Sequence, residues 1–111
     1  MKLEFEQFDQ LAVIQISGDF TADDTDRFQR QALEQIDLNV RDFVLDLSES
    51  DYLDSAGLEA LLWLQDESAQ KLGQVRLASL TEQVATILRI TRLDKRFDTH
   101  DDVDSAVKSL R

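Results

Sequence analysis

Phe43-Val44-Leu45-Asp46-Leu47, followed after a short polar turn by Asp51-Tyr52-Leu53-Asp54-Ser55-Ala56-Gly57-Leu58-Glu59-Ala60-Leu61-Leu62, decides how this chain folds. The first run is apolar enough for a largely buried strand, and the second opens a helix-like run reaching Leu72. A small hydroxyl residue therefore stands at a strand-to-helix turn, between carboxylates, where backbone N–H groups point outward. Helix N-termini stabilise negative charge placed on or near them. Ser55 is suited there both to capping the helix and to carrying a phosphate whose charge would be felt locally.

Working outward, the pattern alternates strands and helices. Leu3, Phe5 and Phe8 form a first strand, and Asp9-Gln10 turns the chain into Leu11-Ala12-Val13-Ile14-Gln15-Ile16, which ends at Gly18. Thr21 has the position of an N-cap with Asp23 and Asp24 in the first turn, and Phe28, Ala32, Leu33 and Ile36 make a helical stripe. In the helix from about Ser55 to Leu72 the expected inward side carries Leu58, Leu61, Leu62, Ala69 and Leu72, with Gly73 as the C-terminal stop. Gln74 to Ala78 reads as a strand. Ser79-Leu80-Thr81-Glu82 has capping-box spacing before a helix with Leu80, Val84, Ile87 and Leu88. Phe97 belongs to a short last strand, and Thr99 caps a terminal helix striped by Val103, Ala106, Val107 and Leu110. The order ββαβαβα(β)α implies an α/β fold: a mixed sheet of about four to five strands with amphipathic helices mainly on one face.

The 111 residues contain no proline, no repeat and no low-complexity stretch, so residues 1–111 read as a single domain. The formal net charge of −11, with no basic cluster, excludes a nucleic-acid binder, which needs a cationic footprint. Anionic membrane surfaces would repel the chain as well, and no apolar run approaches the ~20 residues of a membrane span. A basic patch on a protein partner fits the charge; so does plain solubility. The absence of cysteine, and of a signal-peptide pattern in Met1-Lys2-Leu3-Glu4-Phe5-Glu6, makes the cytoplasm the expected location.

Enzyme chemistry finds little to stand on. His100 is the only histidine and is expected in a solvated loop, so no serine hydrolase base is in prospect. No phosphate-cradling G-x-x-x-x-G-K-[ST] loop occurs. Asp51 and Asp54 have no further metal ligands at suitable spacing, and the cluster Asp98, Asp101, Asp102 and Asp104 lacks the glycine and glutamate of a calcium loop. No cofactor is expected. Trp63 falls off the apolar stripe and is expected to be partly exposed, where it could anchor a partner.

At Asp54-Ser55-Ala56-Gly57-Leu58, preceded by Leu45-Asp46-Leu47-Ser48, the chain resembles the STAS domain family, whose members include bacterial anti-sigma factor antagonists. The resemblance covers nearly the whole chain. Gly18-Asp19-Phe20 stands where the family has a Gly-Glu-Leu turn, and Leu88-Arg89-Ile90-Thr91-Arg92-Leu93 resembles a late helix and its turn. For an antagonist, the resemblance implies a protein that binds an ATP-dependent anti-sigma kinase when unphosphorylated and is released when Ser55 is phosphorylated, with a phosphatase resetting it. Asp54, Gly57, Leu58, Glu59, Leu62 and Trp63, beside Thr21, would form the docking surface of a protein that is a monomer when free. Three departures stand out: Thr21 replaces an aspartate that many antagonists carry near the phosphoacceptor, and Glu59 and Trp63 replace small residues, where bulk would clash with a partner fitted to the usual surface. The alternative within the family is a STAS subunit of a lipid-moving ABC transporter, docking on its ATPase, which Leu61-Leu62-Trp63-Leu64 resembles at least as well.

Overall fold

The computed structural model describes residues 1–110. Five strands form one sheet in the order β1 (Lys2–Phe8), β2 (Leu11–Ser17), β3 (Asp42–Glu49), β4 (Val75–Ala78) and β5 (Asp98–His100). β1 and β2 are an antiparallel hairpin, with Phe8 opposite Leu11 across the two-residue turn at Asp9 and Gln10. Asp9 takes φ +54° there, as such tight turns demand. The remaining neighbours pair in parallel, so each connection must cross over, and helices do so: α1 (Thr25–Asp37), α2 (Ser55–Gln70) and α3 (Glu82–Ile90), while α4 (Val103–Ser109) follows β5. Sheet order therefore follows chain order, and the fold class is the one expected from the pattern.

Strand alternation assigns the faces. Ala12, Ile14, Ile16, Phe43, Leu45, Leu47 and Leu77 point to one side and are buried with Phe28, Leu61, Leu64, Val84 and Leu88 from α1, α2 and α3. Val13, Val44 and Ala78 point to the other, where only α4 packs, through Val103, Ala106, Val107 and Leu110. Three helices thus cover one face and one short helix covers part of the opposite face.

Several local expectations are corrected. The buried residues of α2 are Gly57, Leu58, Ala60, Leu61, Leu64 and Ser68; Leu62 is half-buried, Ala69 is exposed, and Leu72 lies beyond the helix, 87% exposed. Ser68 goes inside because its hydroxyl donates to the Arg41 carbonyl, which satisfies a buried polar group. Leu33 is exposed on α1, leaving Phe28 and Ala32 as its buried residues. In the closing turn of α2, Leu72 donates to Ala69 O (3.0 Å) and Gly73 to Ser68 O (2.9 Å). Leu72 therefore takes the left-handed position (φ +63°), and Gly73 is needed instead because a side chain there would run into the Arg41 carbonyl. The cap of α3 is Thr81 rather than Ser79, its hydroxyl accepting the Val84 N–H at 3.2 Å. The cap of α4 is Asp102 rather than Thr99, which lies in β5. His100 ends β5, half-buried, and its carbonyl accepts the Ser79 N–H at 3.0 Å. Among the described residues, no helix is long and apolar enough to cross a membrane.

Candidate functional site

Three loops meet at the C-terminal end of the parallel strands. The segment after β2 lies along the segment after β3: Gly18 N–H donates to Glu49 O (2.9 Å), Phe20 N–H to Tyr52 O (3.0 Å) and Asp54 N–H to Phe20 O (3.2 Å). Phe20 and Leu53 form a parallel bridge, and both side chains are buried. Ser50, fully buried, ties in the third loop. Its hydroxyl donates to Gly18 O at 2.6 Å, and its carbonyl accepts the Thr81 hydroxyl at 2.9 Å. The turn around residue 20, the start of α2 and the start of α3 are thereby fixed relative to one another.

Asp54 is the hinge pin of this arrangement. It is the N-cap of α2, with Oδ1 accepting the Gly57 N–H at 2.8 Å. Its other oxygen, Oδ2, accepts the Ala22 N–H at 3.0 Å, across 32 residues of chain. Ser55 therefore does not cap the helix. It occupies the first helical position, exposed, and its hydroxyl makes no hydrogen bond among the described residues. Helix geometry leaves the N–H groups of Ser55 and Ala56 without an intrahelical acceptor, so Ser55 stands at the positive end of the α2 dipole.

Gly57 is held by a close approach. A Cβ there would sit 2.5 Å from the Phe20 carbonyl oxygen, so the contact that seats the residue-20 turn on α2 requires glycine. Gly57 and Leu58 are buried, and they shape the site from inside. Glu59 is exposed one turn beyond Ser55, while Leu62 and Trp63 are half-buried and pack on the core. Residues four apart share a helix face, which aligns Ser55, Glu59 and Trp63 along the outer surface of α2. Thr21 is half-buried beside this surface; its N–H and hydroxyl lie 3.3 and 3.5 Å from Asp24 Oδ2. Asp24 also faces Arg27 at 3.6 Å and the Met1 ammonium at 3.8 Å, so its charge is spent on the 3-10 turn Ala22–Asp24 and the chain start.

Sequence reading missed part of the surface. Tyr52, 47% exposed, borders an open cavity of about 550 Å³ with Ile87 and Thr86 of α3, rimmed by Asp51 and Glu82. A tyrosine next to Asp51 in the turn before α2 was the available signal. The surface around Ser55 thus carries the carboxylates of Asp51, Glu59 and Glu82, with Tyr52 exposed and Trp63 half-buried among them. No group of His, Asp and Glu side chains among the described residues is placed to hold a metal ion.

Comparison with known proteins agrees with this architecture. The STAS domain model matches residues 2–106. A STAS-domain containing protein of Pseudomonas aeruginosa is 35% identical over 88 residues, 79% of this chain and 86% of that protein. A Bordetella bronchiseptica protein bearing the name anti-sigma factor antagonist BtrV is 28% identical over 91 residues, 82% of this chain and 78% of that protein. The fold superposes on the anti-sigma factor antagonist SpoIIAA of Bacillus in its unphosphorylated form with a TM-score of 0.86, at 15% identity, over 99% of this chain and 96% of that one. From its matched residues and its five-stranded sheet, this chain belongs to the STAS domain family.

Proposed function

We propose that this protein is an anti-sigma factor antagonist-like interaction switch, working in the cytoplasm as one domain, with Ser55 as its phosphoacceptor. The observation that carries this reading is the division of labour at the start of α2. Asp54 does the capping, and Ser55 is left exposed with a free hydroxyl at the helix N-terminus. In the transfer, Ser55 Oγ takes the γ-phosphoryl group of ATP held by a partner kinase, the hydroxyl proton goes to that kinase, and ADP leaves. The names borne by BtrV and SpoIIAA support the antagonist assignment.

The physics of such a switch is local. A phosphate adds about −1.5 to −2 charges beside Asp54 and one turn from Glu59. The helix dipole accommodates that charge, so the fold persists and the penalty falls on any partner packed against the surface, through repulsion and stranded desolvated oxygens. The protein would then be the substrate of a kinase and a phosphatase rather than a catalyst. Glu59 and Trp63 make the partner's matching surface less tightly fitted to small residues, and Trp63 supplies an anchor.

A tagged pull-down comparing the wild-type chain with Ser55→Asp, with bound proteins identified by mass, tests the reading. Recovery of a histidine-kinase-like ATPase or a sigma regulator by wild type alone is the expected result. An ABC ATPase retained equally by both forms would instead make the chain a transporter subunit. The Leu61-Leu62-Trp63-Leu64 run does not decide between them, because Leu61 and Leu64 serve the core.

A further inference from the structure

The sheet face opposite α2 is only partly covered. α4 packs over β3, β4 and β5, leaving the back of β1 and β2 open. Beside α4 this leaves a groove of about 510 Å³. Register fixes what lines it: along β1 and β2, Glu6 faces Val13 and Phe8 faces Leu11, while Val13 pairs with Val44 of β3. Val13 and Gln15 of β2 face it, with Phe8 of β1 and Val103 and Val107 of α4 as its apolar lining, and Phe8 is 51% exposed. The rim is formed by the carboxylates of Glu4, Glu6, Asp46 and Asp104. A second, smaller hollow shares Phe8 and Val107 with the first and adds Leu11, Leu110, Asp9, Gln10 and Asp42, the last paired with Arg41 at 3.7 Å, so the groove continues toward the β1–β2 turn. Among the described residues, no lysine or arginine lines either part.

A partly apolar groove lined by carboxylates selects its occupant by charge. An anionic lipid surface or a second copy of a chain with net charge −11 would be repelled. A helix with one apolar face and lysine or arginine along both flanks would seat the apolar face against Phe8, Val13 and Val107 and its cations against the rim. We propose that this groove docks a basic amphipathic helix of a protein partner, on the face of the sheet opposite Ser55. A partner seated there would leave the Ser55 surface free. This inference does not depend on Ser55 being phosphorylated.

The test is nuclear magnetic resonance titration of the isotopically labelled full chain with a synthetic helical peptide carrying leucines at i, i+3, i+4 and i+7 flanked by lysines. The control peptide has glutamate in place of each lysine. Saturable shifts at Val13, Val103 and Val107, absent from Ser55 and Trp63 and absent with the control peptide, are expected. Glu6→Lys and Phe8→Ala both change exposed residues of β1 and should keep the wild-type circular dichroism while each weakening binding about tenfold. No saturable shift, shifts confined to the α2 surface, equal binding of both peptides, or concentration-dependent self-association that fills the groove would each overturn the proposal.

Discussion

Asp54 Oδ2 accepts the Ala22 N–H at 3.0 Å while Asp54 Oδ1 caps α2 on Gly57, so one carboxylate sets both the helix start and the neighbouring turn. Asp54→Ala should therefore lose more than an ordinary cap. The cap alone is worth about 1 kcal/mol, and the freed Ala22 N–H adds to the loss, for about 1–3 kcal/mol in all. Asp54→Asn, which keeps an oxygen for one N–H only, should fall between. Denaturant unfolding of the three proteins checks the order.

Gly57→Ala gives a signed prediction. Alanine is favoured over glycine inside a helix by ~1 kcal/mol, yet here its Cβ meets the Phe20 carbonyl oxygen at 2.5 Å. Overpacking against backbone costs about 1–3 kcal/mol and should prevail. Calorimetric melting should show a lower Tm. A raised Tm would mean that the residue-20 turn is not seated on α2.

At the other end of α2, neighbouring substitutions should act in opposite directions. Leu72 is 87% exposed at φ +63°, so Leu72→Gly removes left-handed strain at little loss of burial and should stabilise by about 1 kcal/mol. Gly73→Ala would drive a methyl group into the Arg41 carbonyl and the Ser68 hydroxyl and should destabilise strongly. Melting temperatures of the two variants decide it.

Helix α4 should respond to acid. The Ser105 N–H, at 2.7 Å, and then the Ser105 hydroxyl hold the Asp102 carboxyl below its ordinary value of 3.8. A group whose pKa is lower in the folded state contributes stability above its unfolded value and loses it as pH falls through the folded one. The last helix should fray below pH 3.8, and Asp102→Asn should remove that dependence. Amide exchange at Ala106 and Val107 as a function of pH measures it.

The element order and the strand-to-helix turn at Ser55 were legible because period-two and helical patterns alternate cleanly and glycines are few. The inward side of α2 was not. Between Leu58 and Leu64 the apolar residues are dense enough to support two overlapping stripes, and the true one includes Ser68, whose burial depends on the Arg41 carbonyl far away in sequence. The caps failed for a similar reason. Ser79 and Thr81 both lie within one turn of α3, and Thr81 is selected by its bond to Ser50 O, 31 residues distant. At the candidate site, Asp54 and Ser55 were visible as a pair, but capping fell to Asp54 because Ala22, brought in by the Phe20–Leu53 bridge, needs its second oxygen.

The central claim is that phosphate on Ser55 acts on the interface and not on the fold. Titration calorimetry of the partner recovered in the pull-down, against the unmodified chain and the chain phosphorylated at Ser55, measures this directly. Unchanged melting of the chain is expected, with binding weakened at least about tenfold, or 1.4 kcal/mol. Equal affinity of the two forms would contradict it.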